Sequence, residues 1–183
     1  MAASAKDKTG RVGVVIDNGC LFRGGKEKTI RSKIIGEDLI ETVILLPEKL
    51  FYNTGAPGAI IILNKNKPEF KKGKIQFINA STEFEQHPGV RKLNRLGEKN
   101  INKMVDAYKS SKEIEGFSKL IDKEKIKEND YNLNVTLYVY PEEEVEEIDI
   151  AKEWQDIHKI NKKLSETEKK IANYLNELKI NDV

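Results

Sequence analysis

Cysteine is nearly absent from this sequence, since Cys20 is the only one among 183 residues. A single cysteine forms no internal disulfide and cannot supply the several thiolates of a structural zinc site. Nothing near Cys20 resembles a Cys/His nucleophilic site, so it is interpreted as a small buried or loop residue. The two histidines, His87 and His158, are isolated from each other and from any carboxylate cluster. Neither is therefore predicted to bind a metal or to act as a base.

Long apolar runs are also missing. No segment approaches the ~20 apolar residues that cross a bilayer. The first ten residues lack the apolar stretch of a signal peptide. A cytoplasmic protein without membrane contact is therefore predicted.

Charge is abundant but unevenly distributed. The formal net charge is +2, whereas residues 141–183 hold 7 Lys/Arg against 12 Asp/Glu, or −5, which leaves +7 for residues 1–140. A basic body with an acidic tail is compatible with a polyanion bound by one part and a protein bound by the other.

Four short apolar segments predict buried strands of a sheet. They are Arg11–Ile16, Leu39–Leu46, Ala59–Leu63 and Lys74–Ile78. The first two are connected by Lys26–Ile35, which has helical spacing and ends at Gly36 as a C-cap, so they form a βαβ unit. The last two are joined by a shorter loop without a helix, which predicts an antiparallel pair. The fold class is therefore α/β, with a mostly parallel sheet that becomes antiparallel at one edge.

Glycines after the first strand raise the question of a phosphate cradle. Gly19, Gly24 and Gly25 precede the helix, but Lys26 is followed by Glu27. The loop matches neither G-x-x-x-x-G-K-[ST] nor G-x-G-x-x-G. It is predicted to border a ligand site at the carboxyl edge of the sheet without cradling phosphate itself.

The character of the sequence changes after Ala80. Glu98–Tyr108 predicts an amphipathic helix, Phe117–Ile126 contains a second short helix, and Asn129–Tyr140 begins polar and ends as a strand. An acidic segment then opens a long C-terminal helix, where negative charge suits the helix dipole.

The C-terminal helix carries an imperfect heptad repeat. One row of apolar residues is spaced by seven and consists of Ile150, Ile157, Leu164, Ile171 and Leu178. A second row begins at Trp154. Together they give one continuous apolar face. Such a face either packs on the body of its own chain or binds a partner helix, and spacing alone favours neither.

Four segments carry a family resemblance. In this order and spacing they are similar to the C-terminal half of the catalytic domain of N6-adenine DNA methyltransferases, and especially to the modification (M) subunit of type I restriction-modification systems. The resemblance covers roughly residues 2–140, and the tail is similar in kind. The segments are GRVGVVIDNGCLFRGG, DLIETVILLPEKLFYNTGAPGAIIILNK, KGKIQFINAS and ENDYNLNVTLYV.

The resemblance implies the C-terminal half of a Rossmann-like methyltransferase sheet, followed by a long C-terminal helix. The first strand, Arg11–Ile16, would then have an unpaired edge. The implied organisation is a partial catalytic domain over 1–80, a helical and strand extension of it over 81–140, and a helical tail for subunit packing over 141–183.

The resemblance also suggests site residues. In the family, an aromatic residue in the turn between the last two core strands stacks on an adenine flipped out of the duplex. Phe51 occupies that turn, with Tyr52 as the alternative; residue type alone favours a core aromatic instead. Asp17, Asn18 and Gly19 are predicted to line the same cleft, the alternative being an ordinary turn.

Basic residues and the tail indicate further contacts. Lys26 and Arg31 on the first helix are candidates for the DNA backbone, although a solvated face is the commoner role, and the basic loop Lys65–Lys74 has the same ambiguity. By resemblance, the tail contacts a specificity subunit, with a restriction subunit as a further candidate partner. The predicted interface residues are Trp154, Ile157, Leu164, Ile171 and Leu178.

Two family motifs are missing. The family binds S-adenosylmethionine at a glycine-rich loop and reacts at an Asn-Pro-Pro-aromatic motif, but none of the five prolines here is doubled. The first residues read like the end of the helix that follows the missing motif. We expect this chain alone neither to bind the donor nor to methylate DNA, unless a separate chain supplies the N-terminal half. The alternative is a non-catalytic module that docks on a specificity subunit through its C-terminal helix.

Overall fold

The computed structural model describes residues 4–141 and 149–177. The chain divides into two compact units, residues 1–142 and residues 143–183. Within the described ranges, no helix is both long and apolar enough to cross a membrane.

Seven strands, four α-helices and several short 3-10 helices form the regular structure of the described residues. The strands are β1 Arg11–Asp17, β2 Ile40–Leu45, β3 Gly58–Asn64, β4 Lys74–Asn79, β5 Glu85–Gln86, β6 Asn94–Arg95 and β7 Ser118–Asp122. The helices are α1 Lys26–Gly36, α2 Glu98–Ser110, α3 Lys123–Glu128 and α4 Ile150–Glu177. Five strands form one sheet in the order β1-β3-β2-β4-β7, and β5 and β6 form a small hairpin.

The sheet is mixed. Strands β1, β2 and β4 run in one direction, while β3 and β7 run in the other. The predicted α/β class and the βαβ unit are confirmed, with β3 inserted between the two parallel strands of that unit. The predicted antiparallel pair of the third and fourth strands is wrong, because β2 lies between β3 and β4 and pairs in parallel with β4.

Burial separates the inner strands from the edge strand. All six residues of β2 are buried, and alternate residues serve different cores: Val43 and Leu45 face α1 and α3, whereas Ile44 packs with residues of α2. Strand β1 was predicted to be buried, but none of its residues is. Only β3 pairs with it in the described structure, so β1 is an edge strand of this sheet.

Three local predictions need correction. Gly36 is the last residue of α1 rather than its cap, and the left-handed residue beyond the helix is Asp38. Strand β7, before α3, was not anticipated. Residues 129–140 do not end as a strand, since Val135–Leu137 forms a 3-10 helix. The Tyr138 ring packs on Phe77 of β4 with ring centroids 4.5 Å apart and a tilt of 33°.

The second unit contains α4. The Asp149 carboxylate accepts hydrogen bonds from the N–H groups of Ala151 and Lys152 at 3.0 and 3.1 Å, as a helix N-cap does. The rest of the predicted acidic opening, residues 142–148, lies outside the described residues.

Candidate functional site

A cavity of about 320 Å³ opens where β1 ends and β3 begins. Pockets that take small molecules start at about 300 Å³. This cavity combines the end of β1 with the loop between β2 and β3. Its lining residues are Val15, Ile16, Asp17, Phe51, Thr54, Ala56, Pro57 and Gly58. Two residues predicted from separate segments, Asp17 and Phe51, are therefore brought together.

The position of Phe51 depends on a glycine. Asp17 and Gly58 are paired across β1 and β3, and the Phe51 ring packs over Gly58. A Cβ atom on Gly58 would lie 2.7 Å from Phe51 Cε2, closer than side chains tolerate. The ring remains 38% exposed, so it is not a core aromatic.

The loop reaches this position through two left-handed residues. Lys49 and Asn53 have φ angles of 58° and 64°, a conformation that costs energy for residues other than glycine. Asn tolerates this conformation better than most residues, whereas Lys49 is held by its carbonyl, which accepts the Asn94 N–H at 2.8 Å. The geometry of the loop is thus stabilised from outside it.

Asp17 is held by Arg23. A guanidinium nitrogen of Arg23 lies 2.5 Å from Asp17 Oδ2, and this carboxylate raises the pKa of Arg23. Within residues 4–141 and 149–177, Asp17 Oδ1 has no hydrogen-bond partner. The aspartate therefore keeps one acceptor oxygen available beside the cavity.

Asn18 and Gly19 lie next to the cavity but do not line it. They belong to a 3-10 turn, Asn18–Leu21. The Arg23 guanidinium covers Gly19, where an added Cβ would lie 2.4 Å from it. The ordinary turn considered from sequence describes these two residues, whereas Asp17 faces the site.

Arg31 is buried, which the sequence did not predict. It was predicted to contact DNA backbone, but it is only 6% exposed. Its guanidinium donates to the carbonyl of Cys20 at 2.9 Å and to the carbonyl of Tyr131 at 3.2 Å. This placement argues against phosphate contact and ties α1 to the turn after β1. Lys26 is exposed and stays a candidate.

The polar segment Asn129–Asn134 supports the same turn. The Leu133 N–H donates to the Leu21 carbonyl at 2.9 Å, and the Asp130 carboxylate pairs with Lys28. Asp130 and Tyr131 both adopt left-handed backbone angles, so the segment is sharply bent. No role was predicted for this segment from its sequence, and in the structure it holds the β1–α1 connection that begins directly after Asp17.

Tyr52, the alternative stacking residue, lies elsewhere. It is 75% exposed and lines a second cavity, of about 660 Å³, together with Lys49, Arg91 and Lys92. Of the two aromatic candidates, Phe51 alone lines the cavity with Asp17.

The predicted interface residues on α4 are exposed. Trp154, Ile157, Leu164 and Ile171 have exposed fractions of 61%, 48%, 54% and 52%. Leu178 lies outside the described residues. The stripe is therefore a long apolar surface.

The strand-to-helix turn after β1 contains three glycines. The Arg23 side chain covers Gly19, whereas Gly24 and Gly25 face open space. Among residues 4–141 and 149–177, no group of three or more His, Cys, Asp or Glu side chains is placed to bind a metal ion. The cavity combines the partly exposed Phe51 ring with the Asp17 carboxylate, which makes it a candidate for the substrate side of a site.

The methyltransferase resemblance implied an antiparallel last core strand and an aromatic residue in the turn before it. Strand β3 runs antiparallel to both of its neighbours, and the half-exposed Phe51 lies in the loop before it. Residues 1–147 match the N-6 DNA Methylase family. This match extends over more than half of the chain, and the chain belongs to that family.

Relatives of this chain include methylase subunits of type I restriction enzymes. The chain is 61% identical over 165 residues to the type I restriction enzyme MjaVII methylase subunit of Methanocaldococcus jannaschii, covering 90% of this chain and 29% of that protein. It is 38% identical over 171 residues to the MpnII methylase subunit of Mycoplasma pneumoniae, covering 93% and 31%. This chain therefore spans about a third of the length of these relatives.

Solved structures share the fold. A type I restriction-modification methyltransferase subunit from Streptococcus thermophilus superposes with a TM-score of 0.64 at 42% identity, covering 71% of this chain and 26% of that one. A structure concerning complex assembly and conformational transition of the type I system covers 94% of this chain and 35% of its own, with a TM-score of 0.55 at 21% identity. The methyltransferase-like fold class is confirmed.

Proposed function

We propose that this chain forms the adenine-binding side of a type I restriction-modification DNA methyltransferase, whose reaction transfers a methyl group to adenine N6. The observation that carries the proposal is the cavity that joins Phe51 to Asp17 at the carboxyl edge of the sheet. Enzymes that modify a base inside a duplex first extrude it into such a pocket. A DNA substrate also implies a cytoplasmic location.

The two principal residues have different roles in this proposal. Phe51 offers a ring face on which the extruded base stacks. Asp17 offers Oδ1 as an acceptor for the N6 amine of adenine, at the position where guanine carries a carbonyl oxygen. Arg23 is a positioning residue, because its ion pair fixes the carboxylate beside the cavity.

S-adenosylmethionine and the Asn-Pro-Pro-aromatic motif belong, in this proposal, to a polypeptide segment that the present sequence does not include. The open edge of β1 supports this view, since an unpaired strand edge accepts another strand. The segment that carries the donor site would extend the sheet from β1. The chain alone then binds the extruded base but does not methylate it.

A methylation assay tests this division of labour. Purified chain is incubated with tritiated S-adenosylmethionine and adenine-containing duplex, alone and with the N-terminal part of the MjaVII methylase subunit. We expect no incorporation above background from the chain alone, because the glycine-rich loop and the Asn-Pro-Pro-aromatic motif of the family are missing from this sequence. Incorporation by the chain alone would contradict the proposal, and restoration by the added segment would support it.

A second role, subunit docking, is favoured by the apolar stripe of α4. We propose that a helix of the specificity subunit packs along this stripe. Four large side chains that are each about half exposed or more form a surface that soluble proteins cover with a partner. The heptad spacing of Ile157, Leu164 and Ile171 suits a helical partner.

Replacing Leu164 tests this docking. Fully burying a leucine contributes about 1.5–3 kcal/mol, so L164A should weaken binding to the specificity subunit by about 10- to 150-fold. The control is K163A, which changes the adjacent exposed residue outside the stripe. Binding is measured by titrating labelled specificity subunit with each variant. Equal affinities for L164A and wild type would exclude the stripe, and concentration-dependent self-association that L164A abolishes would point to a second copy instead.

A further inference from the structure

A second cavity lies beside the first and has a different chemistry. It has a volume of about 660 Å³ and shares Thr54 with the cavity of Phe51. None of its lining residues is acidic and three are basic. They are Lys49, Tyr52, Asn53, Thr54, Gly55, Val90, Arg91, Lys92 and Leu93.

The walls of this cleft are two segments bound together. The loop after β2 provides one wall and the β5–β6 hairpin provides the other. Asn94 joins them, because its N–H donates to the Lys49 carbonyl at 2.8 Å and its side-chain amide donates to the Glu48 carbonyl at 2.9 Å. The hydrogen bonds of Asn94 therefore hold the basic residues of the two segments close together.

The tip of the hairpin is also fixed. His87 Nδ1 accepts hydrogen bonds from the N–H groups of Gly89 and Val90, both at 3.1 Å. The His87 N–H donates to the Leu93 carbonyl at 2.9 Å. These bonds form the turn from which Arg91 and Lys92 project into the cleft.

The charges of the cleft are uncompensated. Lys49, Arg91 and Lys92 are exposed, and within the two described ranges none of them has an acidic partner. The nearest basic residues along the chain behave differently, since Arg95 pairs with Glu85 at 2.9 Å and Lys103 pairs with Glu83. Cations left unpaired in a concave site attract a polyanion.

We propose that this basic cleft binds the phosphodiester backbone next to the nucleotide whose base enters the Phe51 cavity. Lysine and arginine side chains contact phosphate oxygens and position a protein on DNA without reading its sequence. The Tyr52 hydroxyl and the Asn53 amide add neutral donors on the same surface. The identity of the ligand as DNA rests on the proposed function, whereas the affinity for a polyanion rests on the cleft itself.

Salt dependence tests the cleft directly. Each phosphate contact adds about 0.9 to the slope of log affinity against log salt concentration. The variant R91Q/K92Q should therefore lower that slope by about 1.8 for a fluorescent duplex. Its deficit relative to wild type should shrink about tenfold as salt rises fourfold. The matched control, K125Q/K127Q, removes two exposed charges from α3, and its slope should equal that of wild type.

The outcomes separate the two proposals. The loss in R91Q/K92Q should be the same for a duplex with and without an extrahelical adenine, whereas F51L should lose affinity only for the extrahelical one, without a change of slope. An altered slope in R91Q/K92Q with no effect of F51L would support the cleft and contradict the base pocket. A wild-type slope in R91Q/K92Q, an equal change in the control, or no binding of duplex by the wild-type chain at low salt would overturn the cleft.

Discussion

Replacing Lys71 with methionine is expected to lower the free energy of unfolding by about 3 kcal/mol. Lys71 and Glu41 are both only 3% exposed in their side chains, and Lys71 Nζ lies 3.6 Å from Glu41 Oε1. Removing one partner of a buried ion pair typically costs about 3–5 kcal/mol, because the other charge stays buried without compensation. Burial lowers the pKa of Lys71, and Glu41 opposes that shift.

The size of the loss depends on what else contacts Glu41. Its Oε2 accepts hydrogen bonds from the Asn64 amide at 3.0 Å and from the Tyr108 hydroxyl at 3.1 Å. These neutral donors remain in K71M, as does the Arg11 guanidinium, whose Nε lies 3.9 Å from Glu41 Oε2, so the expected value lies at the lower end of the range. Lys71 itself donates to Gln76 Oε1 at 2.9 Å, so the variant leaves that oxygen with the longer hydrogen bond from the Thr42 hydroxyl, at 3.4 Å.

The adjacent lysine provides a matched control. Lys72 is 56% exposed and pairs with Glu69 at 2.5 Å, and exposed pairs of this kind contribute about 0–1 kcal/mol. K72M should therefore change stability by less than about 1 kcal/mol. The double variant K71M/E41Q removes both charges and keeps an acceptor for Asn64 and Tyr108. It should be more stable than K71M alone.

Urea unfolding measures these differences. Near-ultraviolet circular dichroism in a W154F/Y174F background is the suitable signal, because the remaining tyrosines lie in the first unit, whereas α4 contributes to the far-ultraviolet signal. Similar losses in K71M and K72M, or a double variant that is less stable than K71M, would contradict the interpretation of Lys71 and Glu41 as a coupled buried pair.

The same pair shows where sequence analysis reaches its limit. The segment Leu39–Leu46 was predicted as a buried strand, and Glu41 within it signals a buried partner. The partner is not predictable locally, since Lys71 lies in a basic loop that was considered as a solvated face or a phosphate contact. In the structure, Lys67 of that loop is also buried and pairs with Asp38 at 2.7 Å.

The strands and helices were largely predictable because they depend on short apolar runs and on helical spacing. Strand order was not, because the insertion of β3 between β1 and β2 is decided by pairing across the chain. The burial of Arg31 was missed for a similar reason, since its acceptors, the carbonyls of Cys20 and Tyr131, are 11 and 100 residues away. A charged residue on a short helix carries no local sign of such partners.

The candidate site was predictable in part. Phe51 came from the family resemblance, and Asp17 came from its place at the end of a strand. The basic cleft was missed because Lys49 and the hairpin residues are separated by about forty positions and meet only through Asn94. The sequence does show two adjacent basic residues, Arg91 and Lys92, close to Asn94. That pattern alone does not indicate which part of the fold they contact.

Replacing Phe51 is the second change with a large expected effect, in this case on DNA binding. Stacking of a base on an aromatic side chain contributes about 1–3 kcal/mol, so F51L should weaken binding of a duplex with an extrahelical adenine by about 5- to 150-fold. Leucine preserves most of the apolar contact with Gly58 but offers no ring face. F51W should bind this duplex about as tightly as wild type, because tryptophan also offers a ring face for stacking. There is room for the larger ring, since Phe51 is 38% exposed at the mouth of the cavity.

A fluorescent adenine analogue at the extrahelical position makes the test specific, because stacking quenches its emission. We expect quenching with wild type and F51W, and little with F51L. The control is Y52L, which changes the neighbouring aromatic ring in the second cavity and should keep the quenching. Quenching that persists in F51L and disappears in Y52L would move the base to the other cavity. It would also break the link between Asp17 and the bound adenine, since Asp17 lines only the cavity of Phe51.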